Sequence, residues 1–318
     1  MELCDKEPSI PIFANPWWLD AVVGSDGWGV VLIERGNHIE ASLPYYKKSK
    51  WGIQVLTTPP LTPALGPWLR EYTAKSYKVI SREKELLRTL YSLLPKCDVY
   101  QQNWHVSRQN WQPLYWLGYS QTSSYTYRLE DLTDLDRVWA GMHQNTRNDI
   151  RKAGKRYSLN VRPAKSVQEF TRVANKTFER QKLTAPYSNE LIESIYLAAN
   201  ARGAIDLLVA EDPEGKLHAA AMILKDDDTA YYLMGGGDPE YRMSGAAGLI
   251  LWEAIQRVSN HVKIFDFEGS MIEPIERFFR CFGARQTPYH HVYKANSLLG
   301  RAILFMQNQK RTQVKTAK

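Results

Sequence analysis

The chain has 318 residues, 44% hydrophobic and 24% charged, the balance of a folded protein longer than one ordinary domain of about 100–200 residues. No run of about 18 apolar residues predicts a membrane span, and the start, Met1-Glu-Leu-Cys-Asp-Lys-Glu7, lacks the apolar stretch of a signal peptide. Cys4, Cys97 and Cys281 are scattered, which predicts reduced thiols in a cytoplasmic protein without a disulfide framework or metal site, while the net charge of +7 suits either anionic partners or simple solubility.

In the first half, Pro16–Val23 reads as a short helix. Trp28–Glu34 and His38–Tyr46 read as strands joined by Arg35-Gly-Asn37, a hairpin signal. The run from Thr57 through Pro59, Pro60 and Pro63 to Gly66-Pro67 predicts a structured loop, because proline lacks the N–H and fixes φ. A helix over about 82–94 and strands near 99–105 and 123–128 follow. Aromatic residues crowd this half (Trp17-Trp18, Trp104, Trp111, Tyr115-Trp116, Tyr119, Tyr125, Tyr127), which suits sugar or acyl-chain contact and equally suits an aromatic core.

In the second half, Leu132, Leu135, Val138, Trp139, Met142 and Ile150 at helical spacing predict one long helix over 132–155. A strand over 159–162, helices over 167–180 and 189–201, and strands over 205–211, 218–225 and 229–234 follow, with Pro213-Glu-Gly215 and Asp226–Asp228 as turns. Then come Gly235-Gly-Gly237, a helix from Gly245 to about Ser259, a strand over Val262–Phe267, a helix over 272–281 and a last strand over 290–294. The expected fold class is α/β with mixed sheets, divided into domains 1–130 and 131–318. The order β-α-α-β-β-β-α-β-α-β, with a glycine-rich loop after its fourth strand, is similar to that of an N-acetyltransferase-type (GNAT) domain.

Two runs carry the chemistry. Arg242-Met-Ser-Gly-Ala-Ala247 has the Arg/Gln-x-x-Gly-x-Gly/Ala form that grips a pyrophosphate at a helix N-terminus. Ser244 is the expected N-cap, Gly245, Ala246 and Ala247 leave the first N–H groups uncovered, and Arg242 adds a charge-assisted bond. Gly235 and Gly236 let the backbone approach a ligand, so that N–H groups near Leu233, Met234, Gly235 and Gly236 would steady an oxyanion. The alternative is a glycine-rich turn before a tightly packed helix.

The second run is Phe265-Asp-Phe-Glu-Gly-Ser270. Strand alternation puts Phe265 and Phe267 on one side and Asp266 and Glu268 on the other. An amine must lose a proton before it attacks a carbonyl, so either carboxylate is a candidate base; the alternative is a turn or salt bridge. Ser270 and Glu273 have capping-box spacing and read as structural. Tyr289 is a candidate proton donor to a leaving group, whereas His290 and His291 point to opposite faces and make poor joint metal ligands.

Arg147, Arg151 and Lys155 recur at i, i+4 and i+8 beside Lys152 and Arg156. They either hold a diphosphate of the acceptor or complement the helix dipole, and Arg147 and Arg151 sit deeper in the helix than the dipole alone requires. No nucleophile elbow or Cys–His arrangement is present, so direct attack is expected. Leu298–Met306 is apolar and is followed by Lys310, Arg311, Lys315 and Lys318; this basic tail either docks peripherally on an anionic membrane or packs on its own domain.

Several stretches resemble FemABX-like acyltransferases of the GNAT superfamily: Asn145-Thr-Arg-Asn-Asp-Ile-Arg-Lys-Ala153, Ala219-Ala-Ala-Met-Ile-Leu224, Tyr232-Leu-Met-Gly-Gly-Gly237, Phe265–Ser270 and Glu276-Arg-Phe-Phe-Arg-Cys-Phe-Gly283. Leu65-Gly-Pro67 and Tyr125-Thr-Tyr127 extend the resemblance into the first half. It implies two tandem GNAT-like domains packed around a shared cleft that takes the acceptor, and it places Arg147 on the acceptor's diphosphate. The best-known members move amino acids from aminoacyl-tRNA to peptidoglycan precursors, and others acylate amino sugars or amino acids for polysaccharide and lipid assembly. Where peptidoglycan members carry Arg-Phe-Lys-Lys-Gly-Phe-Gly, this chain has Arg277-Phe-Phe-Arg-Cys-Phe-Gly283, so the lysine that steadies the oxyanion falls on Phe279. The coiled-coil arm of some tRNA-using members has no counterpart. The resulting expectation is an acyl-CoA-like donor, no metal, and an amine on an amino sugar, amino acid or lipid-linked acceptor in cell-envelope biosynthesis. Transfer from aminoacyl-tRNA is the alternative; DNA is not an expected partner.

Overall fold

The computed structural model describes residues 2–50, 52–180, 185–269 and 271–316. In chain order the first elements are α1 (Glu2–Lys6), α2 (Pro16–Val23), β1 (Trp28–Arg35), β2 (His38–Lys50), β3 (Ile53–Thr57), β4 (Trp68–Leu69), α3 (Ser76–Ser92), β5 (Val99–Asn103), α4 (Gln112–Trp116) and β6 (Ser120–Leu129). They are followed by α5 (Leu135–Gly141), α6 (Gln144–Tyr157), β7 (Asn160–Pro163), α7 (Val167–Arg180), α8 (Asn189–Asn200), β8 (Ile205–Glu211), β9 (Leu217–Lys225) and β10 (Thr229–Gly237). The last are α9 (Ala246–Val258), β11 (Ile264–Asp266), α10 (Glu273–Arg280), β12 (Arg285–Ala295) and α11 (Leu298–Thr316).

Two compact units result, one made of residues 1–124 with 288–318 and the other of 125–287. The division differs from a split at 130/131. Residues 288–318 return to the first unit because β12 pairs antiparallel with β5, from His291 opposite Asn103 to Ala295 opposite Val99.

In the first unit, strands lie in the order β1-β2-β3-β5-β12, with β4 alongside β2. The β1–β2 hairpin turns at Gly36, whose φ of 62° is readily adopted only without a Cβ. Leu43, Leu87, Leu90, Trp104, Leu114 and Val292 meet in its core. The proline-rich segment is an ordered loop: Leu65 N–H bonds the Asn103 carbonyl at 2.8 Å, and the Trp18 indole donates to Thr62 at 2.9 Å.

In the second unit, strands lie in the order β6-β11-β10-β9-β8-β7. All pairs are antiparallel except β10–β11. Nearly every residue of β9 is buried, as both faces are covered. Ala219, Ala221 and Ile223 join a core with Ile150 of α6 and Ile250, Leu251 and Ile255 of α9, while α7 packs on β9 and β10.

The expected long helix is two. α5 ends at Gly141, Met142 is extended and enters the core, and the His143 imidazole starts α6 by accepting from Asn145 N–H at 3.2 Å. Hydrophobic spacing spans such a break because both helices present apolar residues to one core. Gly235–Gly237 belong to β10 rather than to a loop, and the strand that opens the acidic run, β11, is only three residues long and shorter than the expected 262–267.

Candidate active site

The functional geometry of the second unit begins where two parallel strands part. β10 and β11 pair over only three positions, Thr229–Ile264, Ala230–Phe265 and Tyr231–Asp266. β10 then runs on to Gly237 and into α9, whereas β11 ends. Between Tyr232 and Met234 the register of β10 against β9 shifts, so Leu233 is the extra residue of a bulge. A bulge leaves backbone groups outside the ladder and re-aims its strand.

Past Gly237 the chain forms one wall of a cavity of about 190 Å³, lined by Thr177, His218, Asp238, Tyr241, Arg242 and Ala247 among others. Arg242 and Ala247 are exposed, and the first N–H groups of α9 have no intrahelical acceptors. The cavity therefore has the partial positive charge of a 13-residue helix and a guanidinium at its rim. One carboxylate, Asp238, also lines it and is neutralised by an ion pair with Lys176. Also lining it, the His218 ring stacks on Tyr241 with centroids 4.1 Å apart and bonds Asp212 at 3.1 Å. This donor set fits a diphosphate group.

The turn differs from its expected form. Gly245, not Ser244, is the N-cap, with φ of 81°. Ser244 is buried, and its hydroxyl accepts from Ala246 N–H at 3.3 Å. A Cβ on Gly245 would collide with the Asp149 carbonyl oxygen of α6, and Lys152 holds the Met243 carbonyl at 2.5 Å. One side of the turn is thus closed by α6, and the Arg242–Ala247 side faces the cavity. Gly235 and Gly236 answer to the protein as well: a Cβ on Gly236 would lie 2.5 Å from the Ala174 carbonyl oxygen of α7, and one on Gly235 would meet Ala220 and the Tyr232 hydroxyl. Leu233, Met234, Gly235 and Gly236 do not line the cavity.

At the end of β11 lies a carboxylate pair. Phe265 and Phe267 are fully buried in the core, which turns Asp266 and Glu268 the other way. Asp266 accepts from the Thr126 hydroxyl and from Glu268 N–H at 2.9 Å, and its Oδ2 is 3.4 Å from Arg128 Nε. Burial pushes the Asp266 carboxyl up to about 6, against the pull of Thr126 and Arg128. Burial also raises Glu268, and the charge of Asp266 raises it further. Glu268 has φ of 60°, a left-handed conformation that costs a non-glycine residue about 1–3 kcal/mol and clusters at functional sites.

Other expected residues fall elsewhere. Arg147 bonds the Ala140 carbonyl at 3.3 Å with its Nε buried and unpartnered, and Arg151 lies over the Trp139 ring at 5.3 Å; neither lines the cavity. Tyr289 stands on β12 in the first unit. Ser270 lies outside the described residues, and α10 begins at Glu273 with Ile272 as an N-cap lacking a side-chain bond. Phe279, at the position of the family's lysine, stacks on Phe267 at 5.4 Å as core. Among the described residues, no three His, Cys, Asp or Glu side chains are grouped to hold a metal.

Thr126 and Arg128 were not singled out as site residues. They alternate on β6 opposite Asp266, with Arg128 its register partner, and period-two spacing was the available signal. His218, Asp212, Lys176 and Asp238 are brought together only by the β8–β9 turn and α7.

Residues 140–274 match the family described as "Acetyltransferase (GNAT) domain". The chain carries a GNAT-type acyltransferase domain. That span contains the bulged β10, the cavity turn and the carboxylate pair. No curated protein matches the chain. Among solved structures, FemX is similar with a TM-score of 0.66 and 13% identity, covering 91% of this chain and 94% of that one. L-PGS from Bacillus licheniformis has a TM-score of 0.53 and 11% identity over 93% and 92% of the two chains. A conserved protein of unknown function from Bacteroides thetaiotaomicron VPI-5482 has 0.54 and 11% over 93% and 97%. At such identities the likeness establishes the fold.

Proposed function

We propose that the protein is an N-acyltransferase that moves an acyl group from an acyl-CoA-like thioester to an amine of an amino sugar, amino acid or lipid-linked acceptor in cell-envelope or polysaccharide biosynthesis. The observation that carries this reading is the parting of β10 and β11 between the open side of the α9 N-terminus and the buried Asp266–Glu268 pair. The donor's pyrophosphate would sit against Arg242, Ala246 and Ala247, with its pantetheine arm along β10. N–H groups around the Leu233 bulge and Gly235 would receive the carbonyl oxygen as it gains charge.

The acceptor amine forms the N–C bond as the C–S bond breaks. Its proton passes to the carboxylate pair, with Glu268 nearer the strand exit, and then returns to the departing thiolate. Arg128, whose Nε is buried without a hydrogen-bond partner, keeps part of the pair ionised.

A second reading, aminoacyl transfer from tRNA, is favoured by one observation: Arg151, Lys155 and Arg156 on α6 are exposed beside Lys152, a basic face for a polyanion. Thermal shift separates the two. Stabilisation by CoA that Arg242→Ala weakens about tenfold supports the thioester reading. Stabilisation by charged tRNA alone, with no acylated amine detected by mass spectrometry when acyl-CoA is supplied, overturns it in favour of the second.

A further inference from the structure

α11 is an amphipathic helix turned inside out with respect to its own unit. Gly300 is buried, and a Cβ there would collide with the Asp98 carbonyl and lie 3.1 Å from Val99. Helix geometry places Leu298, Leu299, Ala302, Phe305 and Met306 within an arc of about 120°, centred roughly opposite Gly300. Accordingly Leu298, Leu299, Phe305 and Met306 are 81%, 63%, 65% and 56% exposed. The side that docks is the glycine side, and the apolar side points away.

The charge on this helix has one sign. It carries Arg301, Lys310, Arg311 and Lys315 with no acidic residue, and none occurs anywhere from Arg277 to Lys318. No helix among the described residues is long and apolar enough to cross a membrane.

We propose that α11 docks the protein on an anionic lipid surface, lying in the interface with Leu298, Leu299, Phe305 and Met306 inserted and its net positive charge drawing it to the headgroups. An exposed apolar stripe on a purely basic helix is the combination such a surface accepts. A second copy of the chain fits less well, because two copies would bring like charges together. The inference goes beyond the acyl-transfer reading and does not depend on it.

The test is sedimentation of the full chain with vesicles of phosphatidylcholine, with and without phosphatidylglycerol. The protein should co-sediment with the phosphatidylglycerol vesicles at low salt and be released at high salt. Leu299→Glu with Phe305→Glu should lower binding at least about tenfold without moving the melting temperature, because both side chains are exposed. Lys310→Gln, Arg311→Gln and Lys315→Gln together should remove the preference for anionic vesicles. Both variants should acylate a water-soluble amine as the parent does, which separates this inference from the catalytic one. Equal binding of parent and Leu299→Glu/Phe305→Glu protein overturns the proposal. So does a parent dimer in size exclusion that this variant dissolves while neither binds vesicles.

Discussion

Glu268 combines two unfavourable features at one residue, a left-handed backbone and a raised carboxyl. Asparagine tolerates that backbone and carries no charge. Glu268→Asn should therefore raise stability at pH 7 by about 1 kcal/mol while lowering turnover by about 100-fold, read by calorimetry and initial rates. A fall in melting temperature would show that the carboxylate is structural. The pH dependence has a definite sign. A raised carboxyl means that the folded protein holds the proton more tightly than the unfolded chain, so Asp266 favours folding most below the unfolded value near 4 and loses that contribution as pH rises through about 6. Proton acceptance runs the other way: kcat/KM should fall as falling pH protonates the pair, and this dependence should flatten in Glu268→Asn.

At the scale of the element, the α9 turn separates fold from binding. Gly245 is fixed by φ of 81° and by α6, so Gly245→Ala should destabilise by about 2 kcal/mol and says little about a ligand. Ala247 is exposed on the cavity. Ala247→Glu should leave the melting temperature level or slightly higher, because a carboxylate suits a helix N-terminus by about 0.3–1 kcal/mol, yet abolish stabilisation by CoA. Retained CoA binding in Ala247→Glu would place the donor elsewhere. The turn and the acidic strand were legible because each is a short run of special residues. The break at Gly141–His143 was hidden by apolar spacing that continues across it, and the Leu233 bulge was hidden because a bulge needs no particular side chain at its extra position. The glycines of β10 looked like clearance for a ligand, but residues of α7 and β9, distant in sequence, set their need for small size.

Across the whole molecule, the chain is threaded so that the second unit is one continuous segment and the first is not. The alternation of strands and helices in the second half was readable from periodicity, whereas the return of residues 288–318 to the first unit was not, because β-pairing over such separation leaves no local mark. Residues 125–287 made alone should melt in one cooperative transition. Residues 1–124 alone should not, since β5 lacks β12 and the core lacks Val292; adding residues 288–318 as a peptide should restore protection of β5 amides to hydrogen exchange. A cooperative melt of 1–124 by itself would contradict this dependence. The same threading sets an order of events on the ribosome. β5 emerges long before its partner, so the N-terminal portion must wait roughly 10–40 s at ordinary elongation speeds with an open sheet edge, while the transferase unit closes first behind it. Slow codons or a scarce chaperone would therefore harm the yield of the protein through its first unit, although the proposed chemistry resides in its second.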